Sequence, residues 1–297
     1  MLTARVVLSF AGALFAAGLA ACGGQSEAAA AGSLTFTAIP DDNATELRER
    51  FQQVADHLSR ELGVEVRFFP TSSYDASVEA FKNGDVQLAW FGGLTGVQAR
   101  NAVSGARAIA QGAIDPKFRS YFIAHKDTGI ERGDAFPLAL EGKTFTFGSH
   151  ISTSGRLMPE AFIREHTGKS PEEFFGAANY YSGSHDKTAK LVESGTFQAG
   201  VLNYKKYDRL VAEGRIDPEV CRIVWVTPDY ADYNWTAHPD LEAVFGAGFI
   251  ERLQEALVGM KAPELLAAVD RAEGLIPASN VDFQAIEVLA LELDFMR

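Results

Sequence analysis

The stretch His150-Ile-Ser-Thr-Ser-Gly-Arg-Leu-Met-Pro159 sets three hydroxyl residues, Ser152, Thr153 and Ser154, directly ahead of an amphipathic segment. Their spacing predicts the N-cap and first turn of a helix, where backbone N–H groups lack intrahelical acceptors. Plain capping needs one hydroxyl. Three of them, with free amides and the positive end of the helix dipole, suit an oxyanion. Pro159 is tolerated only near a helix start, which fixes the boundary here. Tyr180-Tyr-Ser-Gly-Ser-His-Asp186 repeats the chemistry at a second start with Ser182, Ser184 and His185. A third start lies near Tyr74. Trp90-Phe91-Gly92-Gly93 then ends a strand in two rings, for the core or a pocket wall, and two glycines that permit either a turn or close backbone approach to a ligand.

The elements that must carry these residues follow from periodicity. From Ser33, "LTFTAI" reads as a strand, Leu47, Phe51, Val54, Leu58 and Leu62 mark a helix face, and "VEVRFF" returns to period two. "SYDASVEAFKNG" reads as a helix and "VQLAWF" as a buried strand, giving β-α-β-α-β with parallel pairing. A second set runs from "KTFTFGS" to "RIVWVTP" through three more helices. "ARAIAQGA" and "FRSYFIAHKD" would carry the chain from one set to the other, and "YADYNWTAHPD" would carry it back. The predicted fold class is α/β, with each lobe an open, mostly parallel sheet flanked by helices and a two-strand hinge between them. Lobe 1 takes residues 33–118 and 236–297, and lobe 2 takes residues 119–235, with the hinge crossings near both ends of lobe 2. Helix faces with Phe249, Ile250, Leu253 and Leu257, and with Ile286, Leu289 and Leu293, would pack on lobe 1. Ligands in open α/β sheets sit beyond the carboxyl ends of strands, so both lobes would present that edge to one cleft.

The first residues determine the expected compartment. Arg5 precedes an apolar run from Val6 to Ala21, which has the length of a secretory signal rather than a membrane span. The run ends in Leu19-Ala20-Ala21-Cys22-Gly23, which resembles a bacterial lipobox, so residues 1–21 read as a lipoprotein signal peptide and Cys22 as the lipidated residue. Residues 22–32 read as a flexible tether. Cys221 is then the one other cysteine, so no intramolecular disulfide forms; it is expected to be buried and inert. A composition that is 47% hydrophobic with 21 Phe is that of a compact globular chain. The net charge of −12, with no basic run, excludes nucleic acid as a partner and requires any anion site to be built from aimed dipoles. No nucleophile elbow, Walker loop, dinucleotide fingerprint or zinc spacing is present, so neither an enzyme nor a metal or cofactor is expected. His57 and Glu61 share a helix away from its apolar face and read as a solvated pair.

"VEAFKNGDVQLAWFGG", "TFTFGSHISTSGRLMP", "YYSGSHDKTAKLVESGTFQAGVLN" and "DYNWT" together resemble the substrate-binding proteins of phosphonate and phosphite ABC transporters, including a subgroup labelled as selenate binders. The resemblance runs in order from about Leu34 to at least Trp235. It implies a two-lobed, type II periplasmic-binding-protein-like fold, a small tetrahedral oxyanion as ligand, and an ABC permease with its ATPase as partners. It also implies a monomer in the periplasm or cell envelope, held to the membrane by its lipid anchor. Carried over by motif, Ser152, Thr153, Ser154 and His185 hold the oxyanion, Tyr74 contacts it, and Trp90, Phe91 and Gly92 close the pocket. Tyr233, in the "DYNWT" segment, joins the expected ligand-binding set. Where aminoalkylphosphonate binders place carboxylates, the strand end here offers Asn203 and Tyr204, which favours a smaller oxyanion of phosphonate or phosphite type. Asp229 and Asp232 near the hinge are acceptors that an O–H on the ligand would welcome, whereas selenate or sulfate has no O–H to offer. The alternatives are a selenate- or sulfate-type oxyanion binder of the same family, a ligand sensor, or an enzyme on the same fold.

Overall fold

The structure, a computed structural model, describes residues 32–296. The signal segment, Cys22 and the tether up to residue 31 lie outside the described residues. Eleven strands form two sheets among the described residues. The first has the order β11-β4-β10-β3-β1-β2, with β1 Leu34–Ala38, β2 Val66–Phe68, β3 Leu88–Phe91, β4 Arg107–Gly112, β10 Asn234–Ala237 and β11 Leu275–Pro277. The second has the order β7-β6-β8-β5-β9, with β5 Ser120–His125, β6 Phe145–Phe147, β7 Tyr180–Tyr181, β8 Ala199–Asn203 and β9 Cys221–Val226. Both sheets are mixed. Strands β1 to β4 run one way against β10 and β11. In the second sheet β5 alone opposes the others. Of the antiparallel strands, β5 and β10 each follow a crossing from one sheet to the other, whereas β11 follows the C-terminal helices.

The helices of the first sheet's side are α1 Ala44–Leu62, α2 Tyr74–Lys82 and α3 Gly93–Ala102. Those of the second are α4 Met158–Thr167, α5 Pro171–Phe175, α6 His185–Glu193 and α7 Tyr204–Ala212. The chain closes with α8 Asp240–Phe245, α9 Phe249–Val258, α10 Pro263–Ala268 and α11 Gln284–Glu292. Asn43 caps α1 by accepting from the Thr45 and Glu46 amides, and Gly63 ends it in a left-handed turn. Leu47, Phe51, Val54 and Leu58 of α1 are buried, each stabilising the fold by roughly 1.5–3 kcal/mol. As the apolar faces predicted, α9 packs on α1 and β4, and α11 packs on α3.

Helix α3 departs from the sequence reading, which placed only a turn after Phe91. Gly92, Gly93 and Gly96 look like breakers, but here they allow close packing. A Cβ on Gly96 would stand 2.7 Å from Asn234 Oδ1 of the neighbouring strand. Thus the residues that argue against a helix are those that let it pack.

The two chain segments between the sheets pair with each other. Phe118 and Tyr230 exchange backbone hydrogen bonds of 2.8 and 3.0 Å, and the Asp232 amide donates to the Asp115 carbonyl at 3.1 Å. The two sheets meet along this pair and along the loops at their strand ends.

Candidate functional site

Ser152 to Leu157 form the start predicted from the hydroxyl run, in a wider form than expected. Residues Thr153–Leu157 make a π-helical turn, with the Leu157 amide reaching the Ser152 carbonyl at 3.0 Å, before α4 begins with Pro159 in its first turn. A π turn leaves one more leading amide without an intrahelical acceptor than an α turn, and such turns recur at functional sites. Ser152 Oγ accepts from the Gly155 amide at 3.0 Å. Gly155 is tightly enclosed, since a Cβ there would lie 2.9 Å from Ser152 Oγ and 3.2 Å from His185 Cε1. Hence the first helix start and the His185 ring of the second are in contact.

His185 is fully buried at the start of α6. Its amide donates to the Asp41 carbonyl at 3.2 Å, so the first sheet's side supplies the cap that Ser184 does not. The Asn203 amide reaches Nδ1 at 3.4 Å, which assigns the ring's lone pair to Nδ1 and its proton to Nε2. Nε2 has no protein partner. Burial lowers the His185 pKa to about 4, against the opposing pull of Asp41, so the ring is neutral at physiological pH.

Tyr74 opens α2 and is 2% exposed. Its hydroxyl lies beside Ser152, and burial followed by Asp41 and Asp232 pushes its pKa well above the ordinary value, so it remains a donor. It has no partner of ordinary hydrogen-bond geometry. Asp232 is 1% exposed; Oδ1 accepts from the Gly93 amide at 2.8 Å, and Oδ2 is unpartnered. Burial raises the Asp232 pKa to about 7, with the Gly93 and Thr153 hydrogen bonds opposing the shift. Three buried polar atoms, Tyr74 Oη, His185 Nε2 and Asp232 Oδ2, therefore flank the Ser152–Gly155 turn without a protein partner. Folded proteins leave few such atoms unpaired unless something else binds them.

The remaining expected residues divide into two groups. Trp90 and Tyr233 stack at 5.5 Å and lie under this group, with the Tyr233 hydroxyl donating to Asp41 Oδ2 at 2.7 Å. Gly92 and Gly93 bring α3 against Thr153 and Asp232, where a Cβ on Gly92 would stand 3.2 Å from an oxygen of each. Thr153 Oγ1 accepts from the Leu94 amide at 2.9 Å, so it links the two sheets' sides. The Ser154 carbonyl accepts from Ser120 Oγ at 2.6 Å, and the same Ser120 hydroxyl pairs with the Tyr230 hydroxyl at 2.6 Å beside the crossing. Asn203 caps α7 through Oδ1 and donates to Tyr233 from Nδ2. Tyr204 packs on Phe118 at 5.0 Å beside the crossing, and Phe91 packs edge-on against Phe81 at 5.7 Å. Neither ring is among the groups gathered at the Ser152 turn. Strand alternation explains Phe91, since neighbours on a strand face opposite sides. Asp229 pairs with Arg119 at the surface. Cys221 is buried, with its thiol pushed up to about 12 by burial.

A groove of about 560 Å³ opens to solvent beside Tyr74, between Asp42, Asn43 and Asp75 on one side and Ser149, Ser184 and Lys187 on the other. The larger groove, about 680 Å³, lies on the outer face near Asp208 and Arg222, away from every candidate residue. Among the described residues no group of three or more His, Cys, Asp or Glu is placed to hold a metal ion, and no helix is long and apolar enough to cross a membrane. The sequence pattern gave no sign of Asp41; a carboxylate just past the first strand is a common helix-cap signature.

The family model for the periplasmic substrate-binding protein of phosphonate ABC transporters matches residues 36–283. The chain belongs to this family. A probable ABC transporter phosphite binding protein, PhnD1 of Prochlorococcus marinus, is 37% identical over 270 residues, covering 89% of this chain and 91% of the relative. The solved structure of that organism's PhnD1 with methylphosphonate superposes with a TM-score of 0.84 at 36% identity, over 89% of this chain and 99% of that one. The alkanesulfonate-binding protein SsuA of Xanthomonas axonopodis pv. citri shares the fold at a TM-score of 0.62 and 12% identity, over 89% and 94% of the two chains. The family places the chain in the periplasm or envelope as the ligand-capturing component of an ABC importer.

Proposed function

We propose that this protein captures phosphite or a small phosphonate such as methylphosphonate between its two sheets and presents it to an ABC permease. The carrying observation is the set of three unpartnered buried atoms around the Ser152 turn, two of them donors and one a carboxylate oxygen. Tyr74 O–H and His185 Nε2–H hold anionic oxygens without adding charge. Asp232 accepts an O–H from the ligand, or donates when it carries the proton itself. Above about pH 7, where Asp232 carries no proton of its own, this arrangement favours ligands that still share one over sulfate or selenate, which have none. The groove beside Tyr74 is the entrance. The paired segments at 115–120 and 227–232 are the hinge about which the second sheet and its helices move against the first sheet, which keeps all of β10. The identity and coverage shared with PhnD1, whose solved structure holds methylphosphonate, support this reading.

A thermal-shift panel of phosphite, methylphosphonate, aminoethylphosphonate, phosphate, sulfate and selenate tests it. Phosphite or methylphosphonate at 100 times its dissociation constant adds about 2.7 kcal/mol of stability. Stabilisation by selenate or sulfate in their place would overturn the assignment of Asp232. The lipobox-like run around Cys22 supports membrane attachment through a lipid anchor. Cys22→Ser then shifts the protein from the membrane to the soluble envelope fraction; an unchanged distribution removes the anchor.

A further inference from the structure

Resting on that reading, we infer that Lys206 is a positioning residue for the oxyanion site, clamping the Asp41-Asp42 turn that follows β1 onto α7 of the other sheet. Lys206 is 2% exposed. Its ammonium lies 2.8 Å from Asp42 Oδ2 and 3.9 Å from Asp41 Oδ1. Arg209, almost one helical turn further along α7, also pairs with Asp42, and Arg50 of α1 stands 3.6 Å from the same oxygen.

The clamped turn acts on the site through Asp41. The Asp41 carbonyl takes the His185 amide, and its carboxylate takes the Tyr233 hydroxyl, which itself accepts from Asn203. Lys206 thus reaches His185 and Tyr233 through Asp41. Burial would raise both carboxyl pKa values; Lys206 opposes it at both, joined by the Tyr233 hydrogen bond at Asp41 and by Arg209 at Asp42, and both carboxyls are held below the ordinary range and remain ionised.

Such a cluster is costly to desolvate, and only the completed pairing compensates. Its two halves come from segments 34–112 and 120–226, so the pairing exists only while the two sheets' sides are together. Separation returns Lys206 and Asp42 to water. The cluster's free energy therefore belongs to the closed arrangement and not to either half. Two further pairs follow the same seam near the surface, Lys205 with Glu273 and Arg215 with Glu46. Being exposed, they add little.

Lys206→Met keeps the side chain's length and removes its charge, while Asp42 retains Arg209 and Arg50. In stopped-flow measurements the variant releases methylphosphonate about tenfold faster, with association within about twofold of the parent. Small-angle scattering of the unliganded variant gives a larger radius of gyration. Asp42→Asn, which preserves shape, shows the same division between rates and decides the matter if Lys206→Met does not fold. A purely structural pair would lower the unliganded melting temperature and leave both rates and the radius unchanged; that result overturns the assignment. If the parent protein binds neither methylphosphonate nor phosphite, the functional reading fails, and the radius comparison alone decides the role of Lys206.

Discussion

Burial moves two ionisable side chains of the site in opposite directions. His185 falls to about 4 and Asp232 rises to about 7. A neutral His185 donates from Nε2 throughout the physiological range, so His185 itself adds no inflection to ligand affinity near pH 6.5. Asp232 sets the alkaline limb: one proton must be shared between it and the ligand, and affinity falls by up to about tenfold per pH unit above roughly 7. Asp115 and Arg271 are the charged groups that also act on Asp232, in opposite senses. Asp232→Asn supplies a permanent donor and flattens that limb; calorimetry of methylphosphonate binding between pH 6 and 9 checks it, and a variant with the parent's slope would contradict the proton-sharing role. Stability follows the same signs. Between pH 6.5 and about 4 the unfolded chain takes up a proton that folded His185 refuses, so this contribution is present above 6.5 and lost as pH falls, by at most about 1.4 kcal/mol per unit. Asp232 runs oppositely: from 3.8 to about 7 the folded chain holds a proton the unfolded chain releases, so its contribution becomes less favourable as pH rises.

The elements hold these residues by close approach. Helix α3 enters against Asp232 and Thr153 with Gly92 and Gly93 at its start, and it rests on β10 through Gly96. Gly96→Ala drives a methyl group to 2.7 Å from Asn234 Oδ1, in a place where Arg100 already bonds the same oxygen at 3.0 Å. Overpacking of this kind costs about 1–3 kcal/mol. At about 2–4 °C per kcal/mol for a chain near this size, the melting temperature falls by several degrees. Ligand-induced stabilisation persists, because Gly96 faces β10 and not the Ser152 turn. A melting temperature equal to the parent's would show that β10 yields to the methyl group.

At the scale of the molecule, one guanidinium joins three segments. Arg271 pairs with Asp115 at 2.8 Å, and its guanidinium lies over the Tyr233 ring at 4.6 Å and the Trp90 ring at 5.3 Å. Asp115 belongs to the outgoing crossing and Tyr233 to the returning one, so the chain's last third fixes both. Arg271→Met leaves a buried carboxylate without its cation and costs about 3–5 kcal/mol. Removing both partners in Arg271→Met with Asp115→Leu recovers most of that loss, since neither charge is then left buried alone. Denaturant unfolding of the three proteins checks the order; a double variant no more stable than Arg271→Met would mean that the pair does more than balance charge.

The sequence alone determined the alternating elements, the two-sheet architecture and the helix starts at Tyr74, Ser152 and His185, because periodicity and capping are local properties that a chain carries in its order. It also carried the run of small hydroxyls at which the oxyanion site is proposed. Only the tertiary structure decided which donors remain free. The Thr153 and Asn203 side chains are engaged in joining elements, while Tyr74, His185 and Asp232 keep an atom unpartnered. That distinction depends on partners far away in sequence: Leu94 for Thr153, and Asp41 for His185. Helix α3 and the Lys206 cluster were hidden for the same reason. A glycine reads as a breaker and a lysine as a surface residue until the facing segment is in place.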